Sequence, residues 1–303
     1  PATPPRGLAR PPRKKRRGRF KCSVEMPATK YSLVGSSTAR NALIFLHGHR
    51  QGGLSLRGSL CAVLSDGDLE AVDTCIYCFT ASQTVDDDGE QPEWFAYRTS
   101  DRLSFVADDM LRSRQRLHLL VSRLQKRHGK RGGTVSLGGY SQGACMAIDV
   151  ALTQPGITHC MLVAGFCMLP RFVTAVGAWH GYKPSASKGA TPRLSLWAVH
   201  GRRDSEITWA LGRRSYEAVC ELYAQGGGGS VTLERVELGE DDDHWSIWDA
   251  AEMGGWILDF CRAATAAPMS TARRRLPASA TKCTSSSRLA GETDENAPQH
   301  QNG

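Results

Sequence analysis

The sequence predicts an α/β fold, a mostly parallel central sheet with helices on both faces. Short runs that are apolar throughout alternate with stretches whose apolar residues recur near every 3.6 positions. Strands covered on both faces read as continuous apolar runs, whereas half-exposed strands alternate. The third observation is Gly139-Tyr140-Ser141-Gln142-Gly143, a glycine-flanked serine between a strand-like run and a helix-compatible one. Right-handed crossovers then bring the strand C-termini to one edge, where open α/β sheets hold their sites.

Residues 1–30 are rich in Pro and Arg, poor in apolar side chains, and predicted to be a disordered basic tail. The folded domain is expected over 31–262. Asn41 to His47 reads as a buried strand that runs into His47-Gly48-His49-Arg50-Gln51-Gly52-Gly53. Asp73 to Thr80 is a second strand candidate. A loop follows with the acidic turn Asp86-Asp87-Asp88-Gly89 and the aromatic pair Trp94-Phe95, which suits either core packing or an acyl groove. Ser100 or Asp101 is positioned to cap a long helix with apolar residues Leu103, Val106, Met110, Leu111, Leu117, Leu120, Val121 and Leu124. Gly129 to Gly133 ends it, and the strand Val135–Leu137 leads to Ser141.

Beyond the helix that starts after Ser141, Pro155-Gly156 breaks the chain. Cys160–Ala164 and Leu194–His200 read as further buried strands, the latter leading into Gly201-Arg202-Arg203-Asp204. A helix over Trp209–Ala224, a glycine turn and a strand over Val231–Leu238 follow. The loop from Gly239 to His244 precedes a last helix bearing Trp248, Met253, Trp256, Ile257 and Phe260. From 263 to 303 the chain turns polar and is predicted to be disordered.

The net charge of +8 belongs to the ends of the chain. Residues 1–21 hold nine basic side chains and no acid, and 262–303 hold six basic and three acidic ones. This leaves 23 basic against 27 acidic residues for 22–261, a net of −4 that does not indicate a nucleic-acid-binding body. Arg13-Lys14-Lys15-Arg16-Arg17 fits a nuclear signal, an organelle-targeting remnant, a patch for an anionic surface, or a solvated tail. The ten cysteines are scattered, and no second pair complements Cys75-Ile76-Tyr77-Cys78 at zinc spacing. Free thiols suit a reducing, cytoplasmic setting, no metal is expected, and no apolar stretch is long enough to span a membrane.

A serine hydroxyl is a poor nucleophile until a base takes its proton, and that base needs an acid to fix its tautomer. After a nucleophile elbow the expected order is Ser…Asp…His. Beyond Asp204, itself just past a strand end, only His244 and His300 remain, and His300 lies in the polar tail. The triad candidates are therefore Ser141, Asp204 and His244. Without the triad, Asp204 reads as a loop carboxylate paired with Arg202 or Arg203. Asp241-Asp242-Asp243, directly before His244, are expected to favour its protonated form. An oxyanion needs two backbone N–H donors. Gln142, after the nucleophile, offers one, and His49 in the first strand's loop offers the other.

With these residues in place the chain resembles the acyl-protein thioesterase and phospholipase/carboxylesterase family of α/β-hydrolases. The matching pieces are Leu46-His47-Gly48, Trp94-Phe95, Leu137-Gly138-Gly139-Tyr140-Ser141-Gln142-Gly143, His200-Gly201-Arg202-Arg203-Asp204 and Gly239…His244. The resemblance implies an α/β-hydrolase fold and a Ser141–Asp204–His244 triad with the His49 and Gln142 amides as oxyanion hole. It also implies hydrolysis of esters or thioesters without metal or cofactor, on substrates such as S-acylated proteins or lysolipids. The Gly139–Gly143 piece is close to the family's G-F-S-Q-G, and departures are visible elsewhere: His49-Arg50-Gln51 stands where the family has L-G-D, Ala96 replaces the acid of W-F-D, and Glu206-Ile207 stands where the family has an apolar pair after the triad Asp. A second reading is a catalytically retired binding protein on the same fold. A third makes the basic N-terminal arm an attachment to nucleic acid or anionic membrane.

Overall fold

The structure, a computed structural model, describes residues 31–84, 91–98, 105–168, 193–226, 230–249 and 252–266. The basic run at 13–17, the acidic turn at 86–89, the cap candidates Ser100 and Asp101, and His300 lie outside the described residues.

Seven strands form one sheet in the order β1-β3-β2-β6-β7-β8-β9. They are β1 (Tyr31–Val34), β2 (Asn41–Leu46), β3 (Thr74–Phe79), β6 (Val135–Tyr140), β7 (His159–Val163), β8 (Arg193–Gly201) and β9 (Ser230–Gly239). Only the edge strand β1 runs antiparallel, and the rest are parallel. The short strands β4 (Gln83–Thr84) and β5 (Pro92–Glu93) pair separately. Every residue of β2, β3 and β6 is buried, which is why their sequences are apolar without alternation.

Helices cover both faces. Residues of α3 (Ala107–Gly129), α4 (Gln142–Thr153) and α5 (Trp209–Gly226) join one core cluster around Ile44, Tyr77, Leu137 and Leu162. Residues of α1 (Gly53–Val63), α2 (Asp66–Ala71) and α6 (Met253–Thr265) join the other, around Leu43, Phe45, Ile76 and Met161. Cys75 and Cys78 fall on opposite faces, as positions three apart in a strand must.

Several expectations need correction. β1, α1 and α2 were not predicted, although Leu56, Leu60 and Leu64 recur every four residues and Ser65 with Asp68 forms a capping box. The long helix starts at Ala107 instead of near Ser100, because Phe105 bridges Tyr97 and the Val106 amide donates to the Ala96 carbonyl. Trp248 sits in a separate 3-10 turn (Ser246–Trp248) before α6. That helix continues to Thr265, three residues past the expected end of the domain, with Ala264 buried.

Candidate active site

Ser141 occupies the turn between β6 and α4 with φ 51° and ψ −119°, a strained conformation for a residue with a Cβ. The flanking glycines make the turn sterically possible. A Cβ on Gly139 would lie 2.4 Å from the Gly143 backbone, and one on Gly143 would lie 2.2 Å from the Leu46 carbonyl oxygen. This close approach packs the end of β2 against the start of α4. Gln142 is the first residue of α4, so its amide has no acceptor within the helix.

The Ser141 Oγ is 2.9 Å from His244 Nε2, and His244 Nδ1 is 2.8 Å from Asp204 Oδ2. All three side chains are buried. Asp204 is an ionised acceptor, so Nδ1 of His244 carries the ring proton and Nε2 accepts from the serine hydroxyl. Burial alone would raise the Asp204 carboxyl. Hydrogen bonds from His200, His244 and the Ile207 amide outweigh it and hold the group far below the ordinary carboxylate range. Asp204 Oδ1 accepts from the Glu206 and Ile207 amides at 3.0 and 2.8 Å. His200 Nε2, 2.5 Å from the Ile207 carbonyl and 3.3 Å from Asp204 Oδ2, donates into the same loop.

The charged neighbours of this group turn elsewhere. Arg202 and Arg203 pair with Glu240 and Asp241, not with Asp204. Asp242 Oδ1 accepts from the Ser246 hydroxyl, and Asp243 Oδ1 accepts from the Trp245 and Ser246 amides. The Asp242 and Asp243 carboxylates are thus engaged by the turn that follows His244, and the Asp241 carboxylate by Arg203. The His244 loop is tied down from the other side, where the Tyr140 hydroxyl donates to the His244 carbonyl at 2.6 Å.

On the side of the expected oxyanion donors, one aromatic residue joins two loops. The Trp94 amide donates to Gln142 Oε1 at 2.8 Å, and its indole N–H donates to the His47 carbonyl at 2.9 Å. Gln142 Nε2 completes the link by donating to the Phe95 carbonyl at 2.8 Å. Trp94 and Phe95 are both core residues, which favours packing over an open acyl groove. His47 is stacked on Trp94 and locked as a neutral ring, with Nδ1–H donating to Gly48 O and Nε2 accepting from the Ala81 amide. Burial pushes its pKa down to about 4. The next residue but one, His49, lies with Nε2 3.3 Å from the buried carboxylate of Glu93 and its ring edge-on to Tyr97.

Sequence reasoning thus named the three groups that meet at the elbow but missed four supports. These are the His200 imidazole, the Tyr140 hydroxyl, the Gln142 carboxamide and the Trp94 indole. All four lie within the pieces that resemble the family, Trp94-Phe95, Gly139–Gly143 and His200–Asp204, but nothing in those pieces assigns their side chains a role. Among the described residues no group of three or more His, Cys, Asp or Glu is arranged to hold a metal ion, and no helix is long and apolar enough to cross a membrane.

Residues 33–234 match the family model described as phospholipase/carboxylesterase. A search by sequence among curated proteins gives no match. Three solved structures illustrate the similarity of fold. Acyl-protein thioesterase 2 of Zea mays is 20% identical with a TM-score of 0.52, covering 77% of this chain and 100% of that one. Esterase PE8 is 17% identical with a TM-score of 0.54, covering 77% and 99%. The carboxylesterase of Bacillus cereus is 15% identical with a TM-score of 0.51, covering 77% and 94%.

Proposed function

Because the chain belongs to the phospholipase/carboxylesterase family and has the α/β-hydrolase fold, we propose that it is a serine hydrolase of carboxylic esters or thioesters. The observation that carries this reading is the unbroken hydrogen-bonded path from Ser141 through His244 to Asp204, anchored on a strained elbow. In the proposed mechanism His244 Nε2 takes the Ser141 proton as Oγ attacks the acyl carbon. Asp204 keeps the imidazole oriented and balances the imidazolium that forms. The amides of Gln142 and His49 receive the oxyanion, a contribution of about 2.7–4 kcal/mol per donor in comparable sites. Collapse of the tetrahedral intermediate expels the alcohol or thiol, which takes the proton from His244. Water, activated by the same base, then releases the acid.

S-acylated proteins and lysolipids are the substrate classes that family membership brings forward. A fluorophosphonate probe is expected to label the chain at Ser141. The Ser141→Ala variant should lose both labelling and turnover of p-nitrophenyl esters while melting at the same temperature as the unaltered chain. A folded chain that is neither labelled nor active would return the reading to a binding protein on a hydrolase fold.

A further inference from the structure

At the end of α3, five cationic side chains line a groove of about 370 Å³: Arg123, Lys126, Arg127, Lys130 and Arg131. The residues recur at three- and four-residue spacing, so they share one side of the helix and the turn that follows it. Like charges at this spacing disfavour the helix, and none of the five forms an ion pair among the described residues. Arginines without an ion pair among the described residues occur elsewhere on the surface, as at Arg57, Arg116 and Arg214, but at 123–131 five cations converge on one groove, while other arginines are neutralised. Arg40, Arg112, Arg202, Arg203, Arg213 and Arg262 each face a carboxylate.

Compensation of the helix dipole does not account for the cluster. That dipole amounts to roughly half a negative charge confined to the last turn, against five full positive charges that begin before it. Two of the arginines are also pre-ordered. Arg127 donates to the Ser37 carbonyl, and Arg131 donates to the Ser37 and Ala39 carbonyls, which fixes one wall of the groove over the β1–β2 turn. The other three cations remain available to a ligand. A concave, one-sign surface focuses its field onto an anion, and guanidinium forks fit phosphate oxygens in pairs.

We propose that this groove is a binding site for a compact anion carrying several phosphate groups. It lies away from Ser141. α3 ends beside Thr134, where the Thr134 carbonyl accepts from the Ala42 amide at the start of β2, whereas Ser141 follows the far end of β6. Six residues of strand, roughly 20 Å, separate the two edges. The groove is therefore a second site and not an extension of the first. A soluble inositol polyphosphate and a polyphosphoinositide headgroup share this chemistry, and the experiment distinguishes the two sources.

The test is calorimetric titration of the full chain with myo-inositol hexakisphosphate at physiological ionic strength. A parallel arm measures sedimentation with phosphatidylcholine vesicles, with and without phosphatidylinositol 4,5-bisphosphate. Two altered full-length chains are compared: the groove variant Arg123→Glu/Lys126→Glu/Lys130→Glu, and an arm variant with Arg13, Lys14, Lys15, Arg16 and Arg17 all changed to Ser. The groove variant is expected to bind about tenfold more weakly or worse, the size of losing a charge-assisted contact or more. The arm variant should keep the affinity, and ester hydrolysis should be unchanged in both. Binding of the soluble anion supports the site, and binding confined to the phosphoinositide vesicles supports it with a lipid source. The milder pair Lys126→Ala/Lys130→Ala serves if charge reversal lowers the melting temperature. Affinity that follows the arm instead of the groove would overturn the proposal. So would displacement by inorganic phosphate at matched ionic strength, or tighter binding of a single-stranded RNA through the same three residues.

Discussion

The hydroxyl of Tyr140 donates a 2.6 Å hydrogen bond to the main-chain carbonyl of His244, so the residue before the proposed nucleophile tethers the loop that holds the proposed base. The two rings also lie 5.3 Å apart. A phenylalanine at this position would keep the packing and lose the tether. Tyr140→Phe is expected to reduce kcat about fivefold to tenfold with little change in KM, the equivalent of one net hydrogen bond of roughly 1 kcal/mol. Steady-state kinetics on a p-nitrophenyl ester read this directly. An unchanged kcat would mean that neighbouring packing alone positions His244.

Trp94 plays a comparable part for the two expected oxyanion amides. Its main-chain N–H holds the Gln142 carboxamide and its indole holds the His47 carbonyl, so one residue spans the loops that carry the donors. Trp94→Phe removes only the indole bond. The expected outcome is a fall in kcat of about tenfold, with a parallel loss of affinity for a trifluoromethyl ketone that mimics the tetrahedral intermediate. Ground-state inhibitors should be unaffected. A loss shared equally by both inhibitor types would point to general loosening instead.

The buried ring of His47 makes the fold sensitive to acid. In the folded chain it stays neutral down to about pH 4, while its ordinary value is 6.5. The folded value is the lower one, so between these limits the unfolded chain binds more protons and stability increases with pH. The contribution is complete above about pH 6.5 and is lost as pH falls toward 4, with a ceiling of about 3 kcal/mol. Asp204 acts in the same direction at lower pH. Its depressed carboxyl adds stability above the ordinary carboxylate range, and that stability is lost as pH falls below it. Urea titrations across pH 4–7 should show a steeper slope for the unaltered chain than for His47→Gln. Equal slopes would remove His47 from the account.

Arg114 and Asp149 join α3 to α4 through two hydrogen bonds of 2.6 and 2.5 Å, with the aspartate almost wholly buried. Burial raises the Asp149 carboxyl, and the Arg114 guanidinium offsets part of that rise. Removing one partner leaves a buried charge without compensation. Arg114→Met is expected to cost about 3–5 kcal/mol, and adding Asp149→Asn should recover part of it. Melting curves of the single and double variants form the cycle that checks this. Additive losses would exclude the coupling.

The parallel strands were legible because burial on both faces leaves no polar alternation to confuse them. Ala42–Leu46, Thr74–Phe79 and Leu194–His200 all fall within the observed strands. β1 is not legible in this way, because an edge strand reading Tyr31-Ser32-Leu33-Val34, half exposed, has no such run. α3 starts later than helical spacing predicts because the bridge between Tyr97 and Phe105 is a pairing across a loop, which spacing does not encode.

Local chemistry by itself determined the elbow, the buried strands, and the chain order in which a serine, an aspartate and a histidine follow one another. Their meeting was decided only in three dimensions. Residues 141, 204 and 244 are joined by bonds of 2.9 and 2.8 Å because three parallel strands end at one edge, and strand order is a long-range property. The same holds for the side chains that steady them. Whether Arg203 meets Asp204 or Asp241, whether Trp94 lines a groove or braces a turn, and which carboxylate His49 faces depend on which loops the sheet brings together. Spacing along the chain carries no record of that.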